Sequence, residues 1–155
     1  MKRFKNGFTI IELVFVIVVL GILASVAIPK LSGVVEDANF ASAKATISSL
    51  RTAINTERQR TLLQGNTAYP EILDDASTGT HEELFDGNST VHILQYPVYS
   101  KTTTGGWMKT SDNSGASIEY KYYINDSRTV DFNYTKSTGT FDCDHSIEDC
   151  RFLIE

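Results

Sequence analysis

The chain opens polar and then turns almost wholly apolar for one long run. Met1 to Gly7 carries Lys2, Arg3 and Lys5, and Phe8 to Ile28 follows with Thr9, Glu12 and Ser25 as its only polar side chains. Twenty-one residues at about 1.5 Å each make roughly 31 Å of helix, the thickness of a bilayer's hydrocarbon core at about 30 Å. The basic residues ahead of the run and Glu36 and Asp37 soon after Lys30 put the N-terminus in the cytoplasm and the remainder outside. Glu12 breaks the pattern, since an acidic side chain within a bilayer costs up to about 2.5–3.5 kcal/mol. No Lys, Arg or His lies between Gly7 and Lys30 to offset it. A new α-amino group, created by cleavage after Gly7, would supply the missing cation. An ordinary secretory signal has a shorter apolar region with its cleavage site at the far end. Ala24-Ser25-Val26-Ala27 imitates such a site, but the run is too long and Glu12 has no place in it.

A basic leader ending in Gly7, then Phe8, Glu12 four residues on, and a long apolar helix closing at Pro29 resemble the N-terminal signal of type IV pilins and type II secretion pseudopilins. The resemblance implies cleavage between Gly7 and Phe8 by a prepilin peptidase and N-methylation of Phe8. It implies that Glu12 pairs with the Phe8 amine of a neighbouring subunit during assembly. The alternative for Glu12 is local, a fold-back onto its own chain's amine or the free N–H groups of the helix start. Gly21 and Pro29 weaken the helix by about 1 and about 3 kcal/mol. In the family this chain resembles, such a stretch can unwind and make the fibre extensible; a kink at Pro29 is the simpler reading.

Beyond Pro29 the period becomes helical. Leu31, Val34, Ala38, Ala41 and Ala45 recur every three or four residues, and Ile47, Leu50 and Ile54 continue on a shifted face. Gln64-Gly65-Asn66 supplies a stop. One helix of about 55 residues, or about 80 Å, is expected, apolar all round in its first half and amphipathic in its second. Thr67 to Asn88 reads as loop with at most a short helical turn. His92 to Tyr99 is interrupted by Pro97 and can be no more than an edge strand.

Ser117–Ile124 and Thr129–Thr135 alternate apolar and polar residues around Asn125-Asp126-Ser127-Arg128, the pattern of an antiparallel hairpin. Phe141 and Phe152-Leu153-Ile154 are further short strand candidates. The expected fold is α+β, a long N-terminal membrane-anchoring helix with a small antiparallel sheet head on its C-terminal half. The divisions are a leader (1–7), a membrane and assembly helix (8–29), its amphipathic continuation (30–64) and the head (65–155).

Composition changes this picture little. Removing the leader leaves 148 residues, enough for one domain beside an anchor. Loss of Lys2, Arg3 and Lys5 takes the basic count from 14 to 11 against 19 acidic residues, a net charge of −8. So acidic a subunit is a poor generic ligand for nucleic acid, and none is expected as a partner.

Cys143 and Cys150 are the only cysteines, with six residues between them, near the C-terminus. Outside the cytoplasm such a pair is most simply a disulfide, and many type IV pilins pin a C-terminal loop in this way. A zinc site with His145 is the alternative, at a spacing poor for the metal. Asp142, Asp144, Glu148 and Asp149 surround the loop and offer oxygen ligands for calcium, without EF-hand spacing; a solvated acidic loop is the plainer reading. Three glycosylation sequons occur, and Asn88-Ser89-Thr90, with Asp86 two residues upstream, is the one retained.

His81, His92 and His145 have no nucleophile motif around them, and phosphate loops, HExxH and CxxC patterns are missing. No catalytic residue and no cofactor is expected. The sequence therefore reads as a structural subunit of a pilus or pseudopilus. The resemblance implies as partners its own copies, minor pilins, the prepilin peptidase, an inner-membrane assembly platform and, before assembly, lipid. It implies an inner-membrane protein whose head faces the periplasm, later part of an extracellular pilus or a periplasmic pseudopilus. A tip-located minor pilin and a solitary anchored periplasmic domain are the alternatives.

Overall fold

The computed structural model describes residues 7–154, with the backbone alone for residues 29–32. The leader residues 1–6 and the side chains of Pro29 and Leu31 lie outside what is described. Helix α1 runs Ile10–Leu62, 53 residues, and passes Gly21 and position 29 as helix. The chain divides into two compact units, with the boundary between Val35 and Glu36.

In the first unit the apolar side chains of α1 are exposed on every face, from Ile10 to Ile28. This part of the helix is long and apolar enough to cross a membrane, and none of the apolar window is buried. Among the described residues these Leu, Ile and Val side chains are exposed, the distribution expected of a helix solvated by lipid or by other helices.

In the second unit α1 becomes amphipathic. Ala43, Ile47, Leu50 and Ile54 are buried at spacings of four and three, and Glu57 follows on the same face. Of the two expected apolar faces, that of Ile47, Leu50 and Ile54 is therefore the buried one, and Val34, Ala38, Ala41 and Ala45 are exposed. Large aliphatic side chains remove more apolar surface from water than alanines do, so the Ile and Leu positions decide which face turns inward. Gly65, with φ of 83°, follows the helix end as expected of a left-handed C-terminal residue.

A four-stranded antiparallel sheet forms the head: β3 (Gly106–Lys109), β4 (Ser117–Tyr123), β5 (Thr129–Thr135) and β6 (Thr140–Cys143), in that order. A two-stranded piece, β1 (Glu83–Leu84) and β2 (Val98–Tyr99), lies beside it. The hairpin β4–β5 is in the expected register, Tyr120 opposite Phe132 and Tyr122 opposite Val130. Its turn is held by the Asn125 carboxamide oxygen, which accepts from the Ser127 and Arg128 amides at 3.0 and 2.9 Å. Ile118, Tyr120, Tyr122, Val130, Phe132, Tyr134 and Phe141 all point into one core with the Ile and Leu side chains of α1.

One segment keeps to the limit the sequence set and two depart from expectation. The run after His92 contributes only β2, because Pro97 cannot donate to a ladder. Thr67 to Asn88 is irregular as expected, yet Leu73, Asp74, Leu84 and Phe85 are buried and β1 forms there. Phe152-Leu153-Ile154 belongs to helix α2 (Glu148–Ile154), not to a strand. A three-residue apolar run fits either period, so the spacing alone does not separate helix from strand. Cys150 and Leu153, three apart, are the buried side chains of α2.

Candidate assembly site

Helix α1 begins with a reciprocal cap. The Thr9 amide and hydroxyl donate to Glu12 Oε2 at 2.9 and 2.7 Å, and the Glu12 amide donates to Thr9 Oγ1 at 3.3 Å. This is the Thr-x-x-Glu capping box, in which each side chain satisfies a backbone donor that the first helical turn leaves unpaired. The Thr9-Ile10-Ile11-Glu12 spacing was legible in the sequence, and Thr9 is the residue the sequence reading passed over. Within one chain Glu12 thus adopts the local arrangement, while both it and Phe8, 86% exposed, remain open to a second molecule. Among the described residues, neither Gly7 nor Gly21 has a neighbour within 4 Å of where a Cβ would stand.

The head holds a polar centre with no warning in the pattern of residues. Asp74 and Lys109 are 0% and 1% exposed, and Lys109 Nζ lies 2.6 Å from Asp74 Oδ1. Asp74 Oδ2 accepts from the Tyr120 hydroxyl at 2.7 Å and from the Phe85 amide at 3.1 Å. Phe85 holds φ of 65°, a region in which a bulky residue is strained. Its ring is packed 4.8 Å from Tyr120 and edge-on to Trp107, contacts that hold the backbone there. Burial, then the Asp74 charge, raises the Tyr120 phenol well above its ordinary value, so the ring stays a donor.

Cys143 and Cys150 form a disulfide with Cα atoms 5.8 Å apart, which removes both thiols from the zinc alternative. The four carboxylates considered for calcium have other company. Asp142 pairs with Arg51 and His145, each at 3.0 Å, and Asp149 pairs with Arg128. Asp144 accepts from the Ser146 amide, and Glu148 is exposed in the first turn of α2. Among the described residues no three His, Cys, Asp or Glu side chains gather into a metal-binding group. Asn88 sits in a tight turn, its side-chain oxygen accepting from the Thr90 and Val91 amides at 2.8 Å.

The prokaryotic N-terminal methylation motif matches residues 2–28. The type IV major fimbrial protein FimA of Dichelobacter nodosus is 26% identical over 157 residues, covering 96% of this chain and 93% of the relative. A type IV narrow pilus major component of Thermus thermophilus is 45% identical over 48 residues, 31% of this chain and 41% of the relative. Type II secretion system core protein G of Aeromonas hydrophila is 44% identical over 54 residues, 35% of this chain and 38% of the relative. No solved structure matches the chain significantly. A methylation motif on an apolar helix, an antiparallel head and relatives of both kinds make the chain similar to the structural subunits of type IV pili and type II secretion pseudopili.

Proposed function

We propose that this chain is a filament subunit made from a stored membrane precursor. A prepilin peptidase cuts between Gly7 and Phe8 and the new Phe8 amine is methylated. The apolar part of α1 holds the subunit in the inner membrane, its head outside, until an assembly platform draws it into a filament of like subunits. In the filament the exposed faces of α1 pack on neighbouring copies and leave lipid behind. Glu12 then accepts the Phe8 amine of a neighbour, which sets the register more than it adds stability, since buried ion pairs gain little overall.

The observation that carries this reading is an uncovered apolar helix with one carboxylate, lying under a methylation motif. The pairing is tested by Glu12→Ala, which is expected to leave membrane insertion intact and stop assembly. Normal filaments from that variant would refute it. Processing and location are read together from the N-terminal peptide of fibres sheared from cells. A peptide beginning at methylated Phe8 in the sheared fraction indicates a surface pilus. The same peptide confined to the inner membrane indicates a pseudopilus, and an intact leader in every fraction overturns the proposal. The C-terminal disulfide and the near full-length likeness to a fimbrial protein favour the pilus.

A further inference from the structure

The Asp74–Lys109 contact is unlike the other ion pairs of the head. Both side chains are withdrawn from water, whereas the Arg51, Lys121 and Arg128 pairs are part-exposed. Its surroundings are aromatic: Tyr120 lies opposite Lys109 in the β3–β4 register, Phe85 packs on Tyr120, and Trp107 is the inward neighbour of Lys109 on β3. Two full charges in such a place carry a desolvation cost that their attraction barely offsets. Condensation requires the neutral amine and the carboxylic acid, which one proton passed from Nζ to the carboxylate across the 2.6 Å contact supplies.

We propose that Asp74 and Lys109 condense within the folded head into an isopeptide bond. Nζ attacks Asp74 Cγ and the electron pair moves onto Oδ2, where the Tyr120 hydroxyl and the Phe85 amide already donate. Donors fixed at the oxygen that gains charge are what acyl transfer requires. The pair then returns to form the amide carbonyl and the Cγ–Oδ1 bond breaks. Oδ1 leaves as water with two of the three protons that began on Nζ; the third stays on the amide nitrogen, so the step needs no other reactant. The Ala76 carbonyl, accepting from Nζ at 2.9 Å, aims the amine, and the Asn113 carboxamide, donating to the Asp74 carbonyl at 2.9 Å, fixes the opposing backbone. Reactants held together in this way behave as if at very high concentration, and the enclosed site has little water to reverse the reaction. The product straps β3 to the buried segment before β1 and replaces two buried charges with one hydrogen-bonded amide.

The test is mass spectrometry of the full chain, purified from membranes in detergent, then reduced and unfolded. The mass is expected to fall one water below the sequence after any processing, and trypsin is expected to leave Lys109 uncut in a branched peptide that carries Asp74. Lys109→Arg is expected to show its full sequence mass. Full mass in the natural protein, with Asp74 and Lys109 in separate linear peptides, would overturn the proposal. So would a missing water with Lys109 linear, which would place dehydration elsewhere, as at Asp86-Gly87.

Discussion

Glu12 Oε2 takes both Thr9 donors, at 2.9 and 2.7 Å, so the residue proposed to meet a neighbouring subunit is already half engaged within its own chain. A carboxylate has room for more than two donors. The capping box and an intermolecular pair are therefore compatible. In the membrane-stored monomer proposed above, capping holds Glu12 before any neighbour is present.

This separates two roles that Glu12→Ala removes together. A capping box accepts Gln in place of Glu. Glu12→Gln is thus expected to keep the helix start, read as unchanged amide exchange at Thr9 and Glu12, and to lose filament assembly through loss of charge. Thr9→Ala is expected to do the reverse. It should cost about 0.5–2 kcal/mol of local helix stability and leave assembly measurable. Assembly by Glu12→Gln at the natural rate would show that hydrogen bonding, not charge, is what assembly uses.

The buried face of α1 makes a second prediction. Leu50→Ala removes a fully buried side chain between α1 and the sheet, and is expected to destabilise the head by about 2–5 kcal/mol in denaturant unfolding. Ala41→Ser and Ala45→Ser lie on the exposed face and should change stability by no more than about 0.5 kcal/mol. Equal costs on the two faces would contradict the packing described.

Reduction of the disulfide is expected to lower stability by about 2–3 kcal/mol, the effect of reopening a short loop. The loss should concentrate at α2, which carries Cys150 and Leu153 into the core. Limited proteolysis of the reduced protein should cut first between Asp144 and Phe152, while β4 and β5 stay protected.

Alkaline pH supplies a fourth test. Burial raises the phenols of Tyr120 and Tyr134 well above their ordinary value and pushes Tyr122 from 10.0 to about 12. A raised pKa means that the folded state holds its proton longer than the unfolded state does. The stability these rings contribute is complete below about pH 10 and is lost as pH rises through the folded values, near 12 for Tyr122. The head should therefore unfold in alkali, with the phenolate absorbance rising cooperatively. Tyr122→Phe should move that transition to higher pH. At neutral pH it should cost about 1 kcal/mol, because the Asn39 carbonyl loses its donor at 2.9 Å.

The failures of the sequence reading have particular causes. β3 escaped notice because one of its inward residues is Lys109, which breaks the apolar alternation that marks a strand. The segment around Asp74 reads as loop because its burial depends on Phe85 in a left-handed conformation and on Tyr120, forty-six positions away. Helical spacing offers both the alanine stripe and the shifted face of Ile47, Leu50 and Ile54, and spacing alone does not rank alanine below isoleucine.

What the chain determines by itself is local or periodic. The membrane-length apolar run, the odd carboxylate at position 12, the cap at Thr9, the hairpin around Asn125 and the paired cysteines all arise from residues within a few positions of one another, where spacing maps directly onto geometry. Which face of α1 meets the sheet, how the C-terminal apolar run winds, and the burial of Asp74 against Lys109 rest on contacts between distant segments. Those are decided by how apolar volume fills one core, a quantity that no local pattern carries.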